Sequence, residues 1–166
     1  IANVAMVLLN PGDEVLLPAP YWVSYSAISI LAEATYVEIP STVETDFKIT
    51  PAQLEAAITP KTKMVFFNSP NNPSGSVYTE AEYRAFAKVL EKHPNIYILS
   101  DEIYEHINYG AANFSFAAIE SMYNRTITVN GVAKAFAMTG WRLGYTAGPL
   151  DVMVPAVSRL DDQRLK

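Results

Sequence analysis

The chain has 166 residues, half of them hydrophobic and only 17% charged, with a formal net charge of −5; that length suits one domain with a sizeable core. The acidic residues are scattered and no basic face is visible, which argues against a nucleic-acid binder, and no apolar run reaches the roughly 18 residues that span a bilayer. Zero cysteines exclude disulfides, thiolate metal sites and a cysteine nucleophile, and two isolated histidines, His93 and His106, do not make a zinc site.

The chain opens on an apolar stretch with Val4, Val7 and Leu8 at helical spacing. EVLLP (14–18) and ATYVEI (34–39) read as strands. TPAQLEAAI (50–58) reads as a helix: Thr50 caps it, Pro51 sits in the first turn, and Gln53 stands where a capping box wants it. Its apolar residues Leu54, Ala57 and Ile58 share one face. KMVFFNS (63–69) is the next strand. TEAEYRAFAKVLEKH (79–93) repeats the helix device, with Thr79 as cap, Glu82 reaching back, and a stripe of Tyr83, Phe86, Ala87 and Leu90 before Pro94. IYILSD (96–101), RTITVN (125–130) and RLGYTAG (142–148) complete the strands. No internal repeat is present. Strands alternating with helices of this length predict an α/β fold in three layers, a mostly parallel sheet between helices. In such sheets ligands bind beyond the carboxyl ends of the strands.

Three successive strands end in polar residues of chemical interest. After KMVFF comes NSPNNPSG (68–75) with Asn72; after IYIL comes SDEIYE (100–105) with Asp101 and Tyr104; after TITV comes NGVAKAFAMTGWR (130–142) with Lys134 and Arg142. Each has an ordinary structural reading. NNPSG makes a good turn, Asp101 can cap a helical turn, Tyr104 can be a half-buried core tyrosine, and Lys134 a surface lysine. Their convergence on one sheet edge favours a site.

NNPSG, SDEIYE and VAKAFAMTGWRLGY, in that order and spacing, resemble the class I/II pyridoxal-phosphate-dependent aminotransferases of the aspartate aminotransferase type. LNPGDEVLLPAPYWVSY (9–25) is similar to the same family, so the resemblance covers roughly positions 1 to 160. It implies the large cofactor-binding domain of that family, with pyridoxal 5'-phosphate as cofactor, an L-amino acid and a 2-oxo acid as substrates, and a homodimer. Lys134 would form the Schiff base with the cofactor and shuttle a proton. Asp101 would pair with the pyridine nitrogen. Tyr104 and Asn72 would meet the phenolic oxygen, Arg142 would anchor the phosphate, and Trp22 would stack on the ring. Trp22 as a core tryptophan at a helix start stays an equal alternative. The apolar neighbours Ala133, Ala135 and Phe136 predict a buried, readily neutralised Lys134 amine.

The chain departs from the pattern at Ala133, where many relatives carry serine. Residues 1–166 are expected to be part of the large domain: the phosphate loop would lie upstream of Ile1 and the small C-terminal domain beyond Lys166, so this piece by itself is expected to be inactive. The low charge fraction, below the roughly 25% usual for globular domains, and the apolar first stretch fit a surface covered by a partner. No signal-peptide pattern opens the chain, and a cytoplasmic protein acting in amino-acid biosynthesis is the expectation. A lyase of the same cofactor class, a ligand-sensing domain and a non-catalytic fragment remain as alternatives.

Overall fold

A computed structural model of the chain describes residues 1–110 and 112–164, with side chains described through Ser158. Six strands form one sheet: β1 (Glu14–Pro18), β2 (Thr35–Ile39), β3 (Thr62–Asn68), β4 (Tyr97–Asp101), β5 (Thr126–Gly131) and β6 (Gly144–Ala147). Their order is β2-β1-β3-β4-β5-β6. All neighbours are parallel except β5 and β6. Each of the six predicted strands is present, within two residues of its expected bounds. The link from β5 to β6 carries only a short 3-10 turn at Thr139–Trp141. A parallel return normally needs a crossover helix, so β6 comes back antiparallel.

Six helices accompany the sheet: α1 (Ala2–Leu8), α2 (Ser24–Leu31), α3 (Pro51–Ala57), α4 (Glu80–Leu90), α5 (Glu120–Tyr123) and α6 (Leu150–Arg164). The two capping boxes read from sequence are formed at α3 and α4: Thr50 Oγ1 accepts from Gln53 N–H, and Thr79 Oγ1 accepts from Glu82 N–H. The chain runs outward through α2 from β1 to β2, then reverses through α3 to β3. Crossovers of constant hand must then place α2 on one face and α3, α4 and α5 on the other.

The side chains follow that division. Val65 and Phe67 of β3 pack with Leu54 of α3, Phe86 of α4 and Met122 of α5, while Met64 and Phe66 pack with Val4 of α1, Tyr25 of α2 and Val152 of α6. Alternate residues of one strand therefore feed two cores, and the middle of β3, Met64 to Phe67, is an unbroken apolar run because both its faces are covered. This is the predicted three-layer arrangement. Val4 of α1 is buried against the chain's own sheet, with Val7 and Leu8 packed on the same cluster and only partly buried.

The reversal of strand order lies between β1 and β3. Connections leave the carboxyl ends of these strands in opposite directions, which opens a crevice there. No helix of the described residues is long and apolar enough to cross a membrane.

Candidate active site

The segment after β1 supplies Trp22 and Tyr25. Trp22 stands just ahead of α2 and is 40% exposed, so it is no core tryptophan. Its ring meets Tyr25 edge-on at 5.5 Å. Tyr25, in the first turn of α2, is buried and packs edge-on against Phe66 at 5.2 Å. From there its Oη donates to Asp101 Oδ2 at 2.6 Å. Burial, then the Asp101 charge, pushes the Tyr25 hydroxyl's pKa far up, so it remains a donor.

Asp101, the last residue of β4, is 4% exposed. Its Oδ1 accepts from the Ile103 N–H at 3.2 Å. It thus caps the turn that follows, and it also lines the cleft described below. Burial pushes its pKa up, while the hydrogen bonds from Tyr25 and Ile103 oppose the shift. Strand alternation sends the next residue to the opposite face: Glu102 accepts from Ser100 Oγ and Ser115 Oγ there, away from Asp101.

β3 ends beside β4 with Asn68 in register with Asp101. The buried Asn68 donates from Nδ2 to the Asp101 carbonyl at 3.0 Å and accepts at Oδ1 from the Asn72 N–H at 2.7 Å. It fixes where the next loop starts. In that loop Gly75 N–H returns to the Asn71 carbonyl at 2.9 Å, with Gly75 at φ +76°, so NNPSG is the turn its composition predicts. The Asn72–Pro73 bond is cis, and Ala19–Pro20 and Ser69–Pro70 are cis as well. The turn brings Asn72 Nδ2 to 3.5 Å from Tyr104 Oη.

Lys134 follows β5 by three residues, and its Nζ lies 5.8 Å from the centre of the Tyr104 ring. Here the structure corrects the expectation of a buried amine. Lys134 is exposed, Ala133 and Ala135 are only half-buried, and Phe136 is 59% exposed. The physical reason is that the 132–138 segment projects beyond the sheet edge, where no second layer closes over it.

Trp22, Asn72, Asp101, Tyr104 and Lys134 line one cleft of about 240 Å³. Ile1, Tyr25, Asn68, Ile103 and Val129 complete its walls. Arg142 is not among the lining residues: it is exposed, at φ +53°, with Nη1 donating to the Thr139 carbonyl at 3.2 Å. Five of the six residues expected at the site are therefore brought together. Sequence reasoning missed Tyr25 and Asn68. Tyr25 had a signal, three positions beyond Trp22 at a helix start; Asn68 becomes evident only once strand register sets it beside Asp101.

Residues 1–163 match the family described as aminotransferase class I and II. The chain belongs to that family. An aspartate/prephenate aminotransferase of Cereibacter sphaeroides is 53% identical over 153 residues, which is 91% of this chain and 38% of the relative. A bifunctional aspartate aminotransferase and glutamate/aspartate-prephenate aminotransferase of Petunia hybrida is 49% identical over 150 residues, 90% of this chain and 31% of the relative. Among solved structures, the aspartate aminotransferase of Rhizobium meliloti superposes with a TM-score of 0.91 at 47% identity, over 96% of this chain and 41% of that one. The aromatic aminotransferase of Pyrococcus horikoshii OT3 gives 0.91 at 40% identity, over 95% and 42%. The chain spans well under half the length of each of these relatives.

Proposed function

We propose that the protein carrying this chain is an aminotransferase that uses pyridoxal 5'-phosphate to move an amino group between an L-amino acid, aspartate-like or aromatic, and a 2-oxo acid. The observation that carries the reading is that an amine, Lys134, and a buried carboxylate, Asp101, line one cleft beside an indole face. The names of the relatives support the two substrate classes.

The cleft suits a flat pyridine ring. Trp22 supplies an apolar face, Asp101 an anionic end held in place by Tyr25 and Ile103, and Tyr104 with Asn72 a pair of polar groups 3.5 Å apart on a further wall. When bound, the cofactor would supply an aldehyde for capturing amines and a ring that draws electrons from the substrate's α-carbon.

The chain's own residues divide the rest of the work. Asp101 holds a proton at the pyridine nitrogen, and Tyr25 and Asn68 hold Asp101. Tyr104 Oη and Asn72 Nδ2 donate to the phenolic oxygen. Lys134 Nζ is the amine nucleophile and afterwards moves a proton at the α-carbon. Among the described residues, Arg142 is the one guanidinium on the segments that bound the cleft, and it would take the phosphate; its side chain now makes one exposed hydrogen bond, to the Thr139 carbonyl. The homodimer, the cytoplasmic location and the place in amino-acid biosynthesis belong to this same reading.

In the test, the full-length protein is mixed with pyridoxal phosphate, reduced with borohydride and mapped by peptide mass. The cofactor label should fall on Lys134. Lys134→Ala should lose the label and slow amino transfer by at least about 10²–10⁴-fold, the share a positioned proton-transfer group supplies. Absence of cofactor uptake, or a label on another lysine, would reject the proposal.

A further inference from the structure

We propose that Glu105, through its hydrogen bond to Asn130, is a positioning residue that holds the Lys134 segment against Tyr104. This rests on the reading of Lys134 given above. With Lys134 exposed, apolar packing does not fix where its amine stands, and something else must.

Of three consecutive side chains after β4, Tyr104 and His106 meet the segment after β5, and Glu105 between them meets Asn130 at the end of β5 itself. The Tyr104 ring lies under Lys134 Nζ at 5.8 Å. Glu105 Oε1 accepts from Asn130 Nδ2 at 2.6 Å. The His106 ring meets the Phe136 ring at 5.9 Å, and its Nε2 lies 3.3 Å from Glu105 Oε1. Packing at Gly131 is close too: a Cβ built there would stand 2.9 Å from the Leu143 carbonyl oxygen and 3.4 Å from the Ile103 side chain at Cδ1.

Of these contacts, the Glu105–Asn130 bond is the directed one. Asn130 is buried, and its Oδ1 already accepts from the Gly131 N–H at 2.7 Å, so the amide orientation is set and Nδ2 must face Glu105. The acceptor is a carboxylate whose side chain is 27% exposed, which makes the bond short and charge-assisted. Removing Glu105 leaves a buried donor without its partner. The backbone bond from the Glu102 N–H to the Val129 carbonyl at 2.9 Å still ties the strand ends together, but beyond it the turn at 104–106 keeps the cation–π contact at Lys134 and the ring contact at Phe136, neither of which defines a direction as a hydrogen bond does.

The experiment uses the full-length protein and the pyridoxal phosphate concentration that gives half-maximal borohydride trapping on Lys134. Glu105→Ala should raise that concentration on the order of tenfold, with far-ultraviolet circular dichroism unchanged. Asn130→Asp, which sets two carboxylates against each other, should do the same. In the double variant Glu105→Gln with Asn130→Asp, donor and acceptor exchange places, and trapping should return to within about threefold of the parent. That restoration separates positioning from general damage. Parental trapping in Glu105→Ala, or no restoration in the double variant, overturns the proposal. Should Glu105→Ala fail to fold, Asn130→Asp against the double variant decides it. A parent protein that traps no lysine overturns this inference together with the reading of Lys134, whereas a trapping parent with indifferent variants overturns the link alone.

Discussion

Strands β3 and β4 have hydrogen-bonded neighbours on both edges and apolar cores on both faces, whereas β6 pairs with β5 alone and leaves all four of its residues exposed. The cleft draws its walls from both kinds of structure. Asp101 and Asn68 are buried end residues of the doubly covered strands, tied to each other and to Tyr25. Lys134 and Arg142 lie on the exposed β5–β6 connection. The carboxylate wall is thus set by packing density, while the amine wall is set by backbone pairing and a few polar links. That difference makes a single bond such as Glu105–Asn130 consequential on one wall, where it would be redundant on the other.

The most severe test of this contrast lies in the covered layer. Phe67 is 1% exposed and meets the rings of Tyr78, Tyr83, Phe86 and Phe116. Phe67→Ala should cost about 3–5 kcal/mol in urea unfolding; a much smaller loss would show that the core can collapse and the wall is not rigid.

Asp101→Asn should slow amino transfer in the full-length protein by about 10²–10³-fold, the usual loss when one preorganised electrostatic partner is removed. Its stability should move the other way. Burial raises the Asp101 pKa, so the favourable contribution of its protonated form is present below the ordinary carboxylate range and is lost as pH rises through the raised value. The asparagine variant of the cofactor-free protein should therefore be more stable than the parent near neutral pH, and the two should converge in acid. Parallel curves of urea midpoint against pH would contradict this.

Tyr25→Phe keeps the ring packing on Phe66 but deletes the donor to Asp101. We expect a loss of about 1–3 kcal/mol near neutral pH. The lost bond favoured the ionised carboxylate, so the Asp101 pKa rises further and the loss should shrink as the solution is acidified.

Tyr145→Ala is the smallest change and the sharpest control. The side chain is 58% exposed on β6, and in the 166-residue chain its removal should shift stability by no more than about 0.5 kcal/mol. Repeating it in the full-length protein reads whether a further surface covers β6: a cost near that of Phe67→Ala would mean that both walls become core there.

Much of this arrangement was legible in the chain. All six strands could be read because β-branched and aromatic runs end in Asn, Pro, Gly or Asp, and α3 and α4 because Thr50 and Thr79 announce them with Gln53 and Glu82 in reply. Helices α5 and α6 were not read, since α5 is a single turn and α6 contains Pro155, and of α2, which has no side-chain cap, only a start near Trp22 was read. Asn72, Asp101, Tyr104 and Lys134 were legible because each stands at or just beyond the end of a strand that a parallel sheet must end on the same side, whereas Trp22 was legible only through the family resemblance.

The sequence by itself determined the layers, the strand ends and the residue types offered at them, since hydrophobic period and turn chemistry are local properties carried by a few neighbouring residues. Tertiary structure alone decided that Tyr25 reaches Asp101 across 76 positions, that Asn68 stands in register with it, that Glu105 meets Asn130, and that Lys134 is exposed despite its apolar neighbours. Burial and hydrogen bonding between distant segments depend on strand order and register, and an apolar neighbour in sequence buries a side chain only when another layer of the fold lies over both.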